Sequence, residues 1–321
     1  MRPGFRAFLT NLIDYAGLFP PATLDLGPAI RNHLRYRLGP DAWMLERFIV
    51  PAARLSDLDA FADELRESAR AAGEPVRFSV LGLGDVPGGL AEATEATFDV
   101  ARQFEARHRG SVRADRFEMR TTPAEVDAGL AGPLLAMDLG ADDALAVEVP
   151  LVGETYSRDR AEHAAHDIAE TNARLSTQRA ALKLRCGGVT PDLVPSVESV
   201  AHAIVSCRDA GAPFKATAGL HHLLPNHDEA VGTRMHGFLG VFGGACLAHA
   251  HGLDADALAE VLDDDDPAHF SFADDVVWRS LRVSPETVQH VRQVRALSFG
   301  SCSFDEPRDD LRALGWLGEG G

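Results

Sequence analysis

Short apolar segments alternate with helical segments along the whole chain, and this alternation constrains the fold more than any other feature. The apolar runs of strand length lie at 8–19, 47–51, 76–82, 116–120, 144–150, 181–185, 214–217 and 295–303. Between them, apolar residues recur at the spacing of one helix face, as at Val197, Val200, Ala201 and Ile204. Strands that alternate with helices predict a parallel sheet covered by helices. Eight such units in 321 residues predict an α/β fold, a closed (β/α)8 TIM barrel.

The predicted barrel occupies residues 1–321 as a single domain, because no linker rich in proline, glycine or serine divides the chain. The long stretch 223–290 lies between the seventh and eighth strands and predicts a helical insertion. Its apolar part at 238–250 fits either a lid or the surface of a homo-oligomer. An open doubly wound sheet is the alternative fold, but Pro87 interrupts the glycines at 82–89, which lack the spacing of a dinucleotide-binding turn.

Charge and hydropathy argue against two classes of partner. The net charge is −17, whereas nucleic acid requires a basic surface. No stretch is long and apolar enough to span a membrane. The four cysteines form no C-x-x-C pair, so neither a disulfide framework nor a zinc knuckle is indicated. We therefore expect a cytoplasmic protein whose partner is a small-molecule substrate.

Lysine is almost absent from the chain, and the two lysines lie in the same kind of element. Of the 31 lysine and arginine residues, only Lys183 and Lys215 are lysines, and each lies in a strand-like run closed by glycine. Arginine stays protonated in proteins, whereas a lysine can lose its proton and attack a carbonyl. Adjacent parallel strands lie roughly 4.8 Å apart, so we expect both amines to face one cavity. Each ammonium should then lower the pKa of the other, which would make one lysine a nucleophile.

Other polar residues lie where the predicted strands end, which is where barrel enzymes carry their active sites. A parallel strand is buried on both faces, so an ionisable side chain there is costly unless it is paired or functional. We expect Glu148 or Asp14 to transfer protons and Arg185 to anchor a carboxylate or phosphate. The strand-end residues are Asp14, Glu118, Glu148, Lys183, Arg185, Lys215, Thr217, Ser301 and Cys302. Alternatively, some of them pair with one another or point into the helix layer.

The two lysine motifs resemble those of a known enzyme family. Lys183-Leu-Arg-Cys-Gly187 and Lys215-Ala-Thr-Ala-Gly-Leu220 are similar to the sixth- and seventh-strand motifs of class I aldolase barrels of the deoxyribose-phosphate aldolase type. The resemblance covers the two motifs and the helix between them. It implies a Schiff base at Lys183, with Lys215 as its partner and no cofactor. The chain also resembles a set of uncharacterised bacterial proteins that carry the run from Phe214 to His222.

Three departures separate the chain from the aldolase pattern. Arg185 and Cys186 stand where that family has two small hydroxyl residues. His221 and His222 follow the second motif, where the family continues into an ordinary turn and helix. No phosphate-binding glycine turn is evident near the eighth strand, so the resemblance does not extend to a phosphorylated substrate.

A group of histidines supports a rival hypothesis. The histidines of the region after the second lysine are His221, His222, His227, His236, His249 and His251. Imidazole is the commonest transition-metal ligand, and with Glu118, Glu148 or Asp14 these residues could hold a divalent metal. No H-E-x-x-H or other defined spacing is present. In a site without metal, one of the adjacent histidines could act as an acid or base.

The sequence thus predicts a lyase of the aldolase type that acts through a lysine imine on a small aldehyde or keto acid. The predicted catalytic residues are Lys183, Lys215, Glu148 and His222. The predicted substrate contacts are Asp14, Glu118, Arg185, Thr217, His221 and Ser301. One alternative is a metal-dependent hydrolase or lyase that uses the histidines. A second is a non-catalytic small-molecule-binding barrel, which would tolerate Lys183→Arg.

Overall fold

Eight parallel strands close into a barrel in this computed structural model, which describes residues 2–83, 88–137, 140, 142–153, 156–176, 179–272 and 274–318. The barrel strands are β1 (Ile13–Tyr15), β2 (Leu45–Pro51), β3 (Val76–Leu81), β4 (Val112–Arg120), β5 (Ala144–Val149), β6 (Ala180–Arg185), β7 (Phe214–Thr217) and β13 (Ala296–Ser301). Neighbours around the barrel are consecutive from β1 to β7, and β13 closes it between β7 and β1. The predicted (β/α)8 TIM barrel is confirmed. Residues 84–87 of the glycine-rich turn lie outside the described residues.

Helices follow the strands and cover the barrel. They are α1 (Pro3–Leu9), α2 (Leu26–Tyr36), α3 (Ala62–Ala72), α4 (Gly89–His108), α5 (Pro123–Ala128), α6 (Ala131–Ala136), α7 (Arg158–Leu175), α8 (Val197–Ala210), α9 (Phe238–His251), α10 (Ala255–Asp263), α11 (Pro285–Val294) and α12 (Asp305–Ala313). Side chains fix several helix starts. Ser157, Ser196 and Ser284 each accept a hydrogen bond from the backbone amide three residues on, which satisfies one of the free donors of a helix N-terminus.

The segment between β7 and β13 contains strands as well as the predicted helices. Helices α9, α10 and α11 lie there, together with the antiparallel pair β8 (Asn226–Asp228) and β9 (Thr233–Met235). A three-stranded sheet of β10 (Phe270–Phe272), β11 (Val276–Trp278) and β12 (Leu281–Val283) completes the segment. The sequence did not predict these strands, because three residues are too few to show an alternating pattern.

Helix α9 corrects the idea that the apolar stretch 238–250 is a lid or a homo-oligomer surface. Its residues from Phe238 to Ala248 are all buried within this chain. The rings of Phe238 and Phe242 lie 5.2 and 5.7 Å from the ring of Phe299 on β13. The apolar stretch is therefore a core helix of the barrel. In the described part of the chain, no helix has the length and apolar character to cross a membrane.

Alternation along each strand sends large apolar side chains outward and polar side chains inward. On β4, Phe117 packs edge-on against Phe98 of α4 at 4.4 Å between ring centres, whereas the next residue, Glu118, faces the interior. On β13, Phe299 packs against α9 while the preceding Ser298 faces Asp14. Burial of each large apolar side chain is worth roughly 1.5–3 kcal/mol. The outward aromatic residues therefore fix which residues enter the barrel.

Candidate active site

The strand register places the two lysines beside each other in the barrel. Lys183 of β6 is paired with Lys215 of β7, and Glu148 of β5 is paired with Lys183. One row of the barrel wall therefore carries three of the predicted site residues. Lys215 is completely buried, whereas Lys183 is 5% exposed.

Lys183 lies between two carboxylates. Its Nζ is 2.8 Å from Oε2 of Glu148 and 3.0 Å from Oε2 of Glu118. The other oxygen of Glu148 accepts a 2.8 Å hydrogen bond from Nε of Arg185. Glu148 therefore connects the buried lysine to an arginine whose side chain is 30% exposed.

Lys215 is held deeper by a second pair of carboxylates. Its Nζ donates to Oδ2 of Asp14 and lies 2.9 Å from Oε1 of Glu118. Ser79 donates to the same Glu118 oxygen at 2.5 Å, and Ser298 donates to Asp14 Oδ2 at 2.8 Å. We call the six charged residues the lysine network; they are Asp14, Glu118, Glu148, Lys183, Arg185 and Lys215. Three carboxylates balance three cations, which reduces the free-energy cost of burying these charges.

The electrostatics correct one expectation from the sequence. Burial lowers the pKa of Lys183, but Glu118 and Glu148 raise it by more, so its pKa lies above the usual value. The sequence predicted that the ammonium of Lys215 would lower the pKa of Lys183. This prediction is wrong, because Glu118 lies between the two lysines. Burial raises the pKa of both glutamates, yet the neighbouring cations hold these pKa values below the usual range. Lys183 is a charged ammonium at neutral pH.

The network opens toward the carboxyl ends of β6 and β7. Arg185 and Thr217 are the last residues of these strands, are paired in register, and are both partly exposed. Nε of Arg185 donates to Glu148, and among the described residues neither of its two terminal nitrogens donates a hydrogen bond. A guanidinium edge is therefore available beside the lysine.

Two glycines hold the loops after these strands together. A Cβ on Gly187 would lie 2.7 Å from Cα of Gly219, and a Cβ on Gly219 would lie 2.8 Å from Cε of Met235. Gly219 also has a φ of +74°, which favours glycine. This contact explains why both lysine motifs are closed by glycine.

Four predicted site residues lie outside the lysine network: Thr217 is paired with Arg185 at its edge, and the other three lie apart from it. The hydroxyl of Ser301 donates to the carbonyl of Ser303 at 2.6 Å, and its neighbour Ser298 contacts Asp14 instead. The imidazole of His222 lies 3.1 Å from Asp310, whose hydrogen bond raises the pKa of this histidine. The imidazole of His221 faces Cys302 at 3.4 Å. None of the three contacts a lysine of the network in the residues that the structure describes.

The six histidines of the rival hypothesis do not converge on one point. His236 bonds the carbonyl of Pro195 and His251 bonds the carbonyl of Arg282, both at 2.9 Å. His227 is exposed on β8, and burial lowers the pKa of His249 to about 4. Within the described ranges, the one group of three side chains with metal-ligand spacing includes His221 but none of the other five.

Sequence reasoning missed Ser79 and Ser298, which stabilise the two inner carboxylates. A signal for Ser298 was present, because small residues alternate with Leu297 and Phe299 along β13. The large residues pack outward, so the small ones must face the crowded interior. The same alternation of inward and outward side chains along β13 also turns Ser301 away from the cavity.

Chemically, the network is a buried amine between two proton acceptors, next to a cationic anchor. A lysine of this kind becomes a nucleophile once one carboxylate takes its proton. The same six charges also form a closed ion-pair network that could serve the fold alone. The chain matches no protein-family model, and no curated protein matches it.

Proposed function

We propose that this barrel is a Schiff-base lyase of the aldolase type that acts on a small keto acid or aldehyde, with Lys183 as the nucleophile. The observation that carries the proposal is the position of Lys183, whose Nζ lies between Glu118 and Glu148 at 3.0 and 2.8 Å. Lys183 is the lysine nearer the open end, since it keeps some exposure while Lys215 has none. Charged groups arranged in this way at a barrel's strand ends are typical of active sites.

Imine formation needs a neutral amine, and Glu148 is the nearest acceptor for the proton. Nζ of Lys183 then bonds to the carbonyl carbon, and the carbonyl oxygen leaves as water after it has gained two protons. The nitrogen is again a cation in the protonated imine, so the balance of charge in the network is restored. Glu148 returns its proton to the departing oxygen in this scheme.

Cleavage follows from the electron deficiency of the protonated imine. A carboxylate removes the proton of the hydroxyl group on the β carbon, which is the second carbon from the imine carbon. The bond between the hydroxyl-bearing carbon and the carbon next to the imine carbon breaks, its electrons enter the imine as an enamine, and the hydroxyl-bearing carbon leaves as an aldehyde. Glu148 and Glu118 are the candidate bases because both already contact Lys183.

Lys215 acts in this proposal as a positioning residue. It is fully buried and joins Asp14 to Glu118. Burial raises the pKa of Glu118, and the charge of Lys215 helps to hold this pKa below the usual range. Without the cation of Lys215, the carboxylate of Glu118 would lose one of the two lysines that stabilise its charge.

Arg185 defines the substrate class in this proposal. Its terminal nitrogens are available beside Glu148 at the partly exposed end of β6. A guanidinium binds a carboxylate with two parallel hydrogen bonds. We therefore favour a keto acid over a neutral aldehyde, with Thr217 as a second polar contact on the neighbouring strand.

A second candidate is a non-catalytic barrel that binds a small anion. The equal number of cations and carboxylates in the network favours it, because such a network is stable without any reaction. The two candidate functions predict different results for the Lys183→Arg variant. The substitution preserves the charge, so a binding barrel would retain its ligand whereas a lyase would lose the nucleophile.

The experiment is borohydride trapping. The full chain is incubated with a panel of small aldehydes and keto acids, reduced, and analysed by intact mass and peptide mapping. A stable adduct on Lys183 is expected, lost in Lys183→Arg and still formed on Lys183 in Lys215→Arg. An adduct on Lys215 would reassign the nucleophile, and no adduct over a broad panel would reject imine chemistry.

A further inference from the structure

Three side chains meet at the carboxyl end of the barrel, outside the lysine network. They are His221 after β7, Cys302 directly after β13, and Glu306 in the first turn of α12. Nδ1 of His221 lies 3.4 Å from Sγ of Cys302 and 3.7 Å from Oε2 of Glu306. One ligand atom from each lies within 4.8 Å of the others.

The arrangement differs from that of a catalytic cysteine–histidine–carboxylate triad. In such a triad the nucleophile and the carboxylate face opposite ring nitrogens, so that the proton can be passed through the ring. Here the sulfur and the carboxylate both face Nδ1 of His221. The three groups converge on one point instead.

Two of the three separations match those between ligands of a tetrahedral metal ion. With metal–sulfur and metal–nitrogen bonds of about 2.3 and 2.05 Å, tetrahedral geometry separates sulfur from nitrogen by about 3.6 Å. The same geometry separates nitrogen from a carboxylate oxygen by about 3.4 Å. The observed distances of 3.4 and 3.7 Å lie within a few tenths of an ångström of these values.

Burial supplies an independent observation. Oε2 of Glu306 is shielded from solvent and has no hydrogen-bond partner in the described part of the chain. Cys302 is 5% exposed. A shielded, unpartnered carboxylate oxygen costs free energy unless a cation or donor compensates it.

We propose that His221, Cys302 and Glu306 bind one zinc-like divalent cation, with the fourth position open to water or a ligand. The donor set carries the choice of metal, since a thiolate with an imidazole favours zinc or cobalt over magnesium or calcium. Three protein ligands with an open position are the pattern of catalytic rather than structural zinc. The site does not depend on the imine chemistry proposed for Lys183.

The test uses the full chain after treatment with a chelator and a reductant. Titration with Co²⁺ alone should reach one equivalent and produce a near-ultraviolet sulfur-to-cobalt charge-transfer band, which Zn²⁺ should abolish. Cys302→Ser should remove the band. His221→Asn and Glu306→Gln should weaken binding by about 100-fold or more, since even outer-shell changes cost 10- to 100-fold. These two side chains are partly exposed, so their loss should spare the fold.

Matched controls keep the proposal falsifiable. Cys246→Ser alters a buried cysteine on α9, and His222→Asn alters the adjacent histidine; both should bind cobalt as the unaltered chain does. No binding, or a band that persists in Cys302→Ser, would overturn the proposal. Metal binding is measured without a substrate, so its failure and a failure of imine trapping are separate results.

Discussion

Two buried ion-pair networks lie within one barrel and differ in the cation that each uses. Near the amino ends of β2 to β4, Arg47 bonds Asp115 at 2.7 Å and Arg77 bonds the same carboxylate at 2.6 Å. Glu46 pairs with both arginines, and we call these four residues the arginine network. The lysine network lies toward the carboxyl ends of β5 to β7.

The two networks differ in whether a buried cation can lose its proton. Both must offset the cost of desolvation, and in both the cations lower the pKa of a buried carboxylate, Asp115 in one and Glu118 in the other. An arginine cannot then give up its proton, whereas a lysine can. Only the network nearer the carboxyl ends of the strands contains lysine.

The largest expected effect comes from exchanging these cations. Lys183→Arg should reduce the rate of borohydride-trapped adduct formation by on the order of 10³-fold or more, because the nucleophile is lost while the charge remains. The reciprocal change, Arg47→Lys, should leave the trapping rate near that of the unaltered chain. Equal losses in both variants would remove the distinction between the networks.

A large effect on stability should come from the arginine network. Asp115→Asn leaves Arg47 buried with one partner fewer and should cost about 3–5 kcal/mol of unfolding free energy. Asp127→Asn breaks an exposed pair with Arg160 and should cost about 1 kcal/mol or less. Urea denaturation of the two variants measures both values, and similar costs would show that burial of the network is unimportant.

The pH dependence of imine formation should reveal how Lys183 is controlled. The raised pKa of Lys183 means that the reactive neutral fraction, and hence the trapping rate, increases with pH above neutrality. Glu148→Gln removes one of the charges that raise this pKa, so the midpoint of the profile should move to lower pH. Glu67→Gln, on the exposed side of α3, should leave the profile in place. A shift to higher pH would contradict the proposed electrostatics.

The smallest expected effect is on the free energy of unfolding at alkaline pH. Because the pKa of Lys183 is raised in the folded chain, its contribution to stability is complete below the ordinary value of 10.5. It is lost as the pH rises through the folded value. Lys183→Arg stays charged, so its unfolding free energy should fall less steeply in this range. Denaturation at a series of alkaline pH values provides the measurement, and parallel curves would refute the prediction.

The sequence predicted the barrel and much of the network because both follow from local patterns. Strand alternation fixed the eight units, and the shared position of Lys183 and Lys215 in their runs predicted that they would be neighbours. The sign of the Lys183 pKa shift could not be predicted. It depends on Glu118 reaching between the lysines, and this requires the register of β4 against β5 and β6.

Other parts of the site depend on contacts distant in the chain. Glu306 and Cys302 reach His221 across more than eighty residues, through the closure of the barrel by β13. Ser301 was assigned to the cavity because it ends a strand, and the alternation of β13 turns it away. His227 lies in β8 whereas His251 is the last residue of α9, so histidines from one region of the sequence are held by different elements.

The touching glycines of the two lysine loops limit how this molecule can be altered. At Gly187 and Gly219, any side chain would collide with the opposite loop or with Met235. Neither glycine can therefore be replaced unless the two loops move apart, and with them the ends of the two strands that carry the lysines. Substitutions meant to reshape this end of the barrel would have to be made at positions other than these two glycines.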